Sequence, residues 1–265
     1  MSNRIMGAIV GDIVGSIYEF KNHRSKDFPL FSEKCFATDD SIMTLAIADA
    51  VREWNSTGDD LGKLAVEKMQ KIGRPYPYCG YGGRFFEWMY SSNPVPYYSF
   101  GNGSAMRVSA VAYAANSILE VKELSRIVTA VTHNHPEGLK GAEATAVATW
   151  IALHGFSKDD IRDYVKANYY PIDFTLDEIR PFYQFNETCQ NTVPQAIQAF
   201  LESTDFEDAI RNAISVGGDS DTLAAITGAI AGAYYGVPDA IYEETYRYLD
   251  KTQKTILNHF VEAFK

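Results

Sequence analysis

The sequence predicts an all-α fold, a compact single-domain orthogonal helical bundle over residues 1–265 with Gly/Ala-rich helices at its centre. Three observations predict it. Apolar residues recur at helical spacing along most of the chain, and no stretch reads as a strand of a parallel sheet. Glycines at 7, 11 and 15, and again at 228, 232 and 236, recur every four residues. One face of each of these two helices therefore carries almost no side chain, and a neighbouring backbone can approach closely. Finally, 265 residues that are 46% hydrophobic can bury one large core.

Taken in order, residues 4 to 20 read as a buried helix. Asp12 and Glu19 would then share one face, about 10 Å apart along the axis. Asp12 reads as a buried hydrogen-bonding group that orients a loop or a metal-bound water rather than as a ligand. Glu19, at the helix end beside a charged loop (Lys21 to Lys26), reads from spacing alone as solvated. Thr38-Asp39-Asp40-Ser41 opens the next helix, Ile42 to Trp54. Asn55-Ser56-Thr57-Gly58 breaks it, and Leu61 to Ile72 resumes as an amphipathic surface helix. Residues 73 to 103, with Pro75, Pro77 and dense aromatics, read as irregular, most of the rings packing the core beneath a long loop and a subset flanking a pocket able to stack on a flat ligand.

Gly101-Asn102-Gly103-Ser104-Ala105-Met106-Arg107 leads into Val108 to Ala115. A Gly-rich turn entering a helix offers N–H groups to an anion, but it also fits a plain helix start with Ser104 as cap. Val121 to Val131 is a helix that ends at Thr132-His133, and Pro136 suits the first turn of the next, which runs to about Leu153. Ser157 caps 157 to 169, residues 170 to 190 are irregular, and helices follow at 192 to 202 and 205 to 215. The tail from Pro238 to Phe264 reads as amphipathic helix.

Between them stands Gly217-Gly218-Asp219-Ser220-Asp221-Thr222, before a run of small apolar residues. One cap needs one oxygen, and here two carboxylates and a threonine precede a helix too small-faced for the surface. Successive helical residues turn by about 100°, so Asp219 and Asp221 converge only if the backbone there is still a turn, which the double glycine permits. Convergent hard oxygens at a buried helix start suggest Mg²⁺ or Mn²⁺, and the cluster at 38–41 supplies a second half for a dinuclear site.

The formal charge of −10 argues against a nucleic-acid backbone or an anionic membrane as a general partner. Cys35, Cys79 and Cys189 lack metal-ligand spacing and fit reduced thiols. With no signal-peptide pattern and no apolar run of about 20 residues, a soluble cytoplasmic monomer is expected.

With these motifs laid out, the chain resembles the ADP-ribosylglycohydrolase family along almost its whole length. The anchors are Gly11-Asp12 with Gly15 and Glu19, Thr38-Asp39-Asp40-Ser41, Gly101 to Arg107, Thr132-His133, and Gly218-Asp219-Ser220-Asp221-Thr222. The resemblance implies an all-α bundle that releases ADP-ribose from an acceptor using two Mg²⁺ or Mn²⁺ ions. It implies Thr38, Asp39, Asp40, Asp219, Asp221 and Thr222 as metal ligands, and Glu19, Asp40 and Asp219 as catalytic positions. Ser99, Phe100, Gly101, Asn102, Gly103, Ser104, Met106 and His133 fall in the segments implied to bind substrate. The aromatic loop at 73 to 98 and the residues after His133 depart from the family pattern, which leaves acceptor specificity open. Non-catalytic alternatives are an ADP-ribose-binding module and a crystallin-like structural relative, the latter disfavoured because both acid clusters are intact.

Overall fold

The computed structural model describes residues 2–265. Among them are fourteen α-helices and no sheet, the single β-type pairing being an isolated bridge between Gly101 and Thr188. In chain order the helices begin with α1 (Met6–Gly15), α2 (Asp39–Thr57), α3 (Leu61–Gly73), α4 (Gly83–Tyr90) and α5 (Val111–Ala114). The middle of the chain forms α6 (Ile118–Ala130), α7 (Pro136–Leu153), α8 (Lys158–Asn168) and α9 (Leu176–Ile179). The rest forms α10 (Cys189–Leu201), α11 (Phe206–Ser215), α12 (Ser220–Tyr235), α13 (Asp239–Tyr248) and α14 (Lys251–Ala263). No described helix is long and apolar enough to cross a membrane.

The centre is α12, buried from Ser220 to Ala233, with α1, α7, α10 and α11 packed around it. Helices α1 and α12 meet backbone to backbone. A Cβ on Gly11 would overlap the Ala224 carbonyl, and one on Gly15 would lie 2.5 Å from the Asp221 Cα. The four-residue glycine spacing is thus the contact itself, and it draws Asp12 of α1 up to the start of α12.

Several expectations change. The helix expected over 4–20 is a 3₁₀ turn (Ser2–Ile5) followed by α1, which ends at Gly15. There Ser16 turns its hydroxyl back to the Ile13 carbonyl, and Tyr18 N–H bonds the Gly15 carbonyl in a tighter i→i+3 turn. Glu19 consequently sits in a turn, not on the Asp12 face of a helix. The stretch expected to be irregular at 73–103 contains α4, whose Phe85, Trp88 and Met89 form a buried stripe. Dense aromatics on both faces hid that period. The expected tail helix is two, because Asp250 starts α14 with a reciprocal capping box to Gln253.

Ser104 is not a helix cap either. Its hydroxyl bonds the Gly101 and Gly138 carbonyls and ties a 3₁₀ turn (Asn102–Ser104) to α7. Ser157 does cap α8, as the sequence indicates.

Candidate active site

Three chain segments carry the acidic centre. The Gly217-Gly218 turn, with φ of 77° and 76°, reverses the chain just ahead of α12. It leaves Asp219 at the N-cap position and Asp221 in the first turn. The start of α2 is held from α1: Asp12 Oδ2 accepts from the Thr38 and Ser41 N–H groups, each at 3.0 Å, and Oδ1 accepts from the Thr38 hydroxyl at 2.5 Å. A carboxylate from another helix thereby caps α2, satisfying two N–H groups and facing the positive end of its dipole. The third segment is the turn after α1, which brings Glu19 to the edge.

These segments assemble two carboxylate triplets, Asp12–Asp40–Asp221 and Glu19–Asp219–Asp221, each with one oxygen per residue within 4.8 Å of the others. Asp221 belongs to both. Thr222 donates to Asp40 Oδ2 at 3.2 Å, and Asn102 Nδ2 donates to Asp219 Oδ2 at 2.7 Å. Burial, reinforced by neighbouring carboxylates, raises the Asp39, Asp40 and Asp221 carboxyls well above the ordinary range. Burial lifts Asp12 to about 6, against the opposing hydrogen bonds from Ser41 and Thr38. It lifts Glu19 to about 7, with added repulsion from Asp219, Asp12 and Glu187.

Among the described residues no Lys or Arg lies within 4.0 Å of any of these carboxylates. Asp40 Oδ1 is buried with no hydrogen-bond partner. An acceptor-only oxygen left without a donor, inside a cluster of mutually repelling carboxylates, fits a hard divalent cation.

The opposite wall is basic. Arg107 is 2% exposed, lies with its guanidinium 5.2 Å from the Phe85 ring centroid, and donates to the Thr132 hydroxyl oxygen at 2.6 Å. That oxygen therefore accepts from Arg107, and its own proton is better directed to His133 Nδ1, 2.7 Å away, than to the Thr129 carbonyl at 3.4 Å. His133 then presents Nε2–H to the cleft. Burial, helped by Arg107 and Arg84, holds the ring well below its ordinary pKa, so it stays neutral. The cleft between the walls has a volume of about 270 Å³, close to the lower end of the range for small-molecule sites.

Of the sequence-derived site residues, Glu19, Asp39, Asp40, Ser99, Gly101, Asn102, Gly103, Met106, His133, Asp219, Asp221 and Thr222 line this one cleft. Thr38 lies behind it, between Asp12 and Asp40. Phe100 turns its ring toward His135, and Ser104 is buried beneath the loop. Asp39 remains partly exposed and stands outside both triplets, while Asp12 enters one of them and also makes the hydrogen bonds read for it. Sequence reasoning missed Arg84, Tyr97, Arg107 and Glu187 in the lining. Arg107, within a recognised motif, could have been found; Arg84 lies in the first turn of α4, whose period the dense aromatics hid, and Tyr97 and Glu187 sit in irregular stretches with no periodic signal.

The ADP-ribosylglycohydrolase family model matches residues 3–264. The ADP-ribosylhydrolase ARH3 of Homo sapiens is 26% identical, with 91% of this chain and 89% of that protein covered. The ARH3 of Mus musculus is 25% identical, with 88% and 83% covered. A solved ADP-ribosylglycohydrolase-related protein complex superposes with a TM-score of 0.74 at 24% identity, over 99% of this chain and 97% of that one, and shares the all-helical fold. The chain belongs to the ADP-ribosylglycohydrolase family of glycosidic-bond hydrolases.

Proposed function

We propose that this protein cleaves the bond between the anomeric carbon of ADP-ribose and an acceptor, with two divalent cations, Mg²⁺ or Mn²⁺, in the acidic centre. The observation that carries this is the pair of carboxylate triplets joined at Asp221, facing a neutral histidine and a buried arginine across one cleft. The metal-holding set is Thr38, Asp39, Asp40, Asp219, Asp221 and Thr222, with Asp12 bracing Thr38. When bound, such ions orient ribose hydroxyls and acidify water, whose unperturbed pKa is about 15.7.

The chain's own residues do the rest. Gly101 and Gly103 have no side chain to keep a ligand off the backbone of their turn, and His133 Nε2–H is a donor for a phosphate or ribose oxygen. Ser99, Met106 and the neighbouring Phe100 and Ser104 shape that turn. Asn102 holds one Asp219 oxygen, which restricts the direction in which the other faces. Glu19 is the proton-transfer group: raised to about 7 and half-buried at the rim, it exchanges a proton near neutral pH. Asp40 and Asp219 act beside it. Cleavage through an oxocarbenium-like transition state needs a carboxylate so placed, together with water.

Cys35, Cys79 and Cys189 are all free, which supports action in a reducing compartment, the cytoplasm. The test is a panel of ADP-ribosyl-arginine, ADP-ribosyl-serine, ADP-ribosylated bases and O-acetyl-ADP-ribose, each with Mg²⁺, Mn²⁺ or EDTA. We expect at least one acceptor to be released with metal and none in EDTA. No turnover of any member, or turnover indifferent to EDTA, counts against the proposal.

A further inference from the structure

Glu19 and Asp219 are 200 residues apart in the chain, yet both must face one cleft. Their joint is visible. Asn22, three residues after Glu19, adopts a left-handed φ of 48°, which non-glycine residues other than Asn and Asp seldom take. That conformation turns its side chain across to the double-glycine turn. Asn22 Oδ1 accepts the Gly218 N–H at 2.9 Å, and Nδ2 donates to Gln184 Oε1 at 2.8 Å.

Arg24 reinforces the joint. It donates to the Val216 carbonyl at 2.7 Å and to the carbonyls of Arg180 and Tyr183. The turn is enclosed on both sides. A Cβ on Gly217 would lie 3.0 Å from Asn22 Oδ1 and 3.3 Å from Arg24 Nη1, while one on Gly218 would meet the Tyr183 ring at 2.4 Å. Gln184 belongs to the segment that carries Glu187 to the same cleft.

We infer that Asn22 is a positioning residue for the acidic centre: it locks the Glu19 turn to the Gly217-Gly218 turn and so sets Glu19 against Asp219. The inference rests on the proposed metal-dependent hydrolysis. Asn22 touches no reacting atom. Its side chain fixes the Gly217–Gly218 peptide, one peptide unit ahead of the one that ends at Asp219, and its backbone fixes where the chain runs after Glu19. A shift of about 1 Å in such groups costs on the order of 10²-fold in rate.

The experiment compares the full-length wild type with Asn22→Gly, which keeps the left-handed backbone and removes only the side-chain bonds. Asn22→Asp, which keeps an oxygen for the Gly218 N–H, is the rescue variant. Three quantities are read: Mn²⁺ affinity from the paramagnetic resonance of free Mn²⁺, kcat and KM on an acceptor the wild type cleaves, and the urea midpoint. Asn22→Gly is expected to lose at least about tenfold in both Mn²⁺ affinity and kcat, with KM within about threefold. Asn22→Asp should recover kcat to within about threefold of wild type. If Asn22→Gly does not fold, Arg24→Lys, which cannot reach all three carbonyls, carries the same expectation of weakened Mn²⁺ binding.

Wild-type Mn²⁺ affinity and kcat in Asn22→Gly, or in Arg24→Lys where that variant decides, overturn the inference, even if the urea midpoint falls. A wild type that binds no Mn²⁺ and cleaves no acceptor overturns the proposed function and this inference together. An active, Mn²⁺-binding wild type matched by an unimpaired variant overturns this inference alone.

Discussion

At Glu19 spacing and structure disagree. Read as part of a helix it would be a solvated end residue; in the structure it sits in a turn, half-buried, with its carboxyl raised to about 7 by burial and by Asp219, Asp12 and Glu187. Glu19→Gln keeps its size and most hydrogen bonds but cannot accept a proton. Its kcat should fall by about 10²–10⁴ while calorimetric ADP-ribose affinity changes little. Cleavage at the wild-type rate would return Glu19 to a solvated role. Asp40 differs in kind, since its Oδ1 is buried and unpartnered. Asp40→Asn replaces one repelling carboxylate with a neutral amide, so the metal-free protein should not become less stable, whereas its Mn²⁺ affinity should fall by at least about tenfold, 1.4 kcal/mol. Paired calorimetric titrations and urea melts check both halves of that expectation.

The α1–α12 contact decides the geometry of the centre, and two glycines show how differently one residue type can act. Gly11 lies where a Cβ would overlap the Ala224 carbonyl of α12, so Gly11→Ala must push the helices apart. Such overpacking costs about 1–3 kcal/mol, and here it also moves Asp12, which caps α2. Gly58 follows α2 with φ of 74°, and a Cβ there would meet nothing within 4 Å. Gly58→Ala strains only the local backbone, for a loss of about 1 kcal/mol. Urea melts should therefore show both variants destabilised, but only Gly11→Ala with weakened Mn²⁺ binding. Equal Mn²⁺ affinity in the two would separate the helix contact from the acidic centre.

Over the whole molecule, the gathered acids make stability depend on pH and metal together. Asp12 and Glu19 have folded pKa values of about 6 and about 7, above their ordinary 3.8 and 4.5. Between those limits the folded state holds protons that the unfolded chain has released, so stability falls as pH rises. Protein in EDTA should therefore melt at progressively lower temperature from pH 4.5 to pH 7, apart from any acid unfolding driven by the surface ion pairs. Added Mg²⁺ or Mn²⁺ should reverse the trend most strongly near pH 7 and above, where the carboxylates are free to bind. At a hundredfold excess over Kd the gain is about 2.7 kcal/mol per site. Melting curves across pH, with metal and with EDTA, test this; curves that coincide at every pH would exclude a folded-state cation site.

Helix content and the acid clusters were legible in the chain because each depends on near neighbours: the 3.6-residue period, Thr and Asp at helix starts, and a double glycine that permits a turn. The glycine spacing even announced a close backbone contact. It did not say which helix would be the partner. Nor did local pattern show that α1 stops at Gly15, that Asp12 braces Thr38 and Ser41, or that Asp221 joins two carboxylate triplets. Those outcomes depend on groups tens to hundreds of residues apart, and the free energy of bringing them together lies in packing and desolvation rather than in propensity. The same holds for the basic wall, where Arg107, Thr132 and His133 acquire their donor and acceptor roles from one another only once burial has removed water from between them.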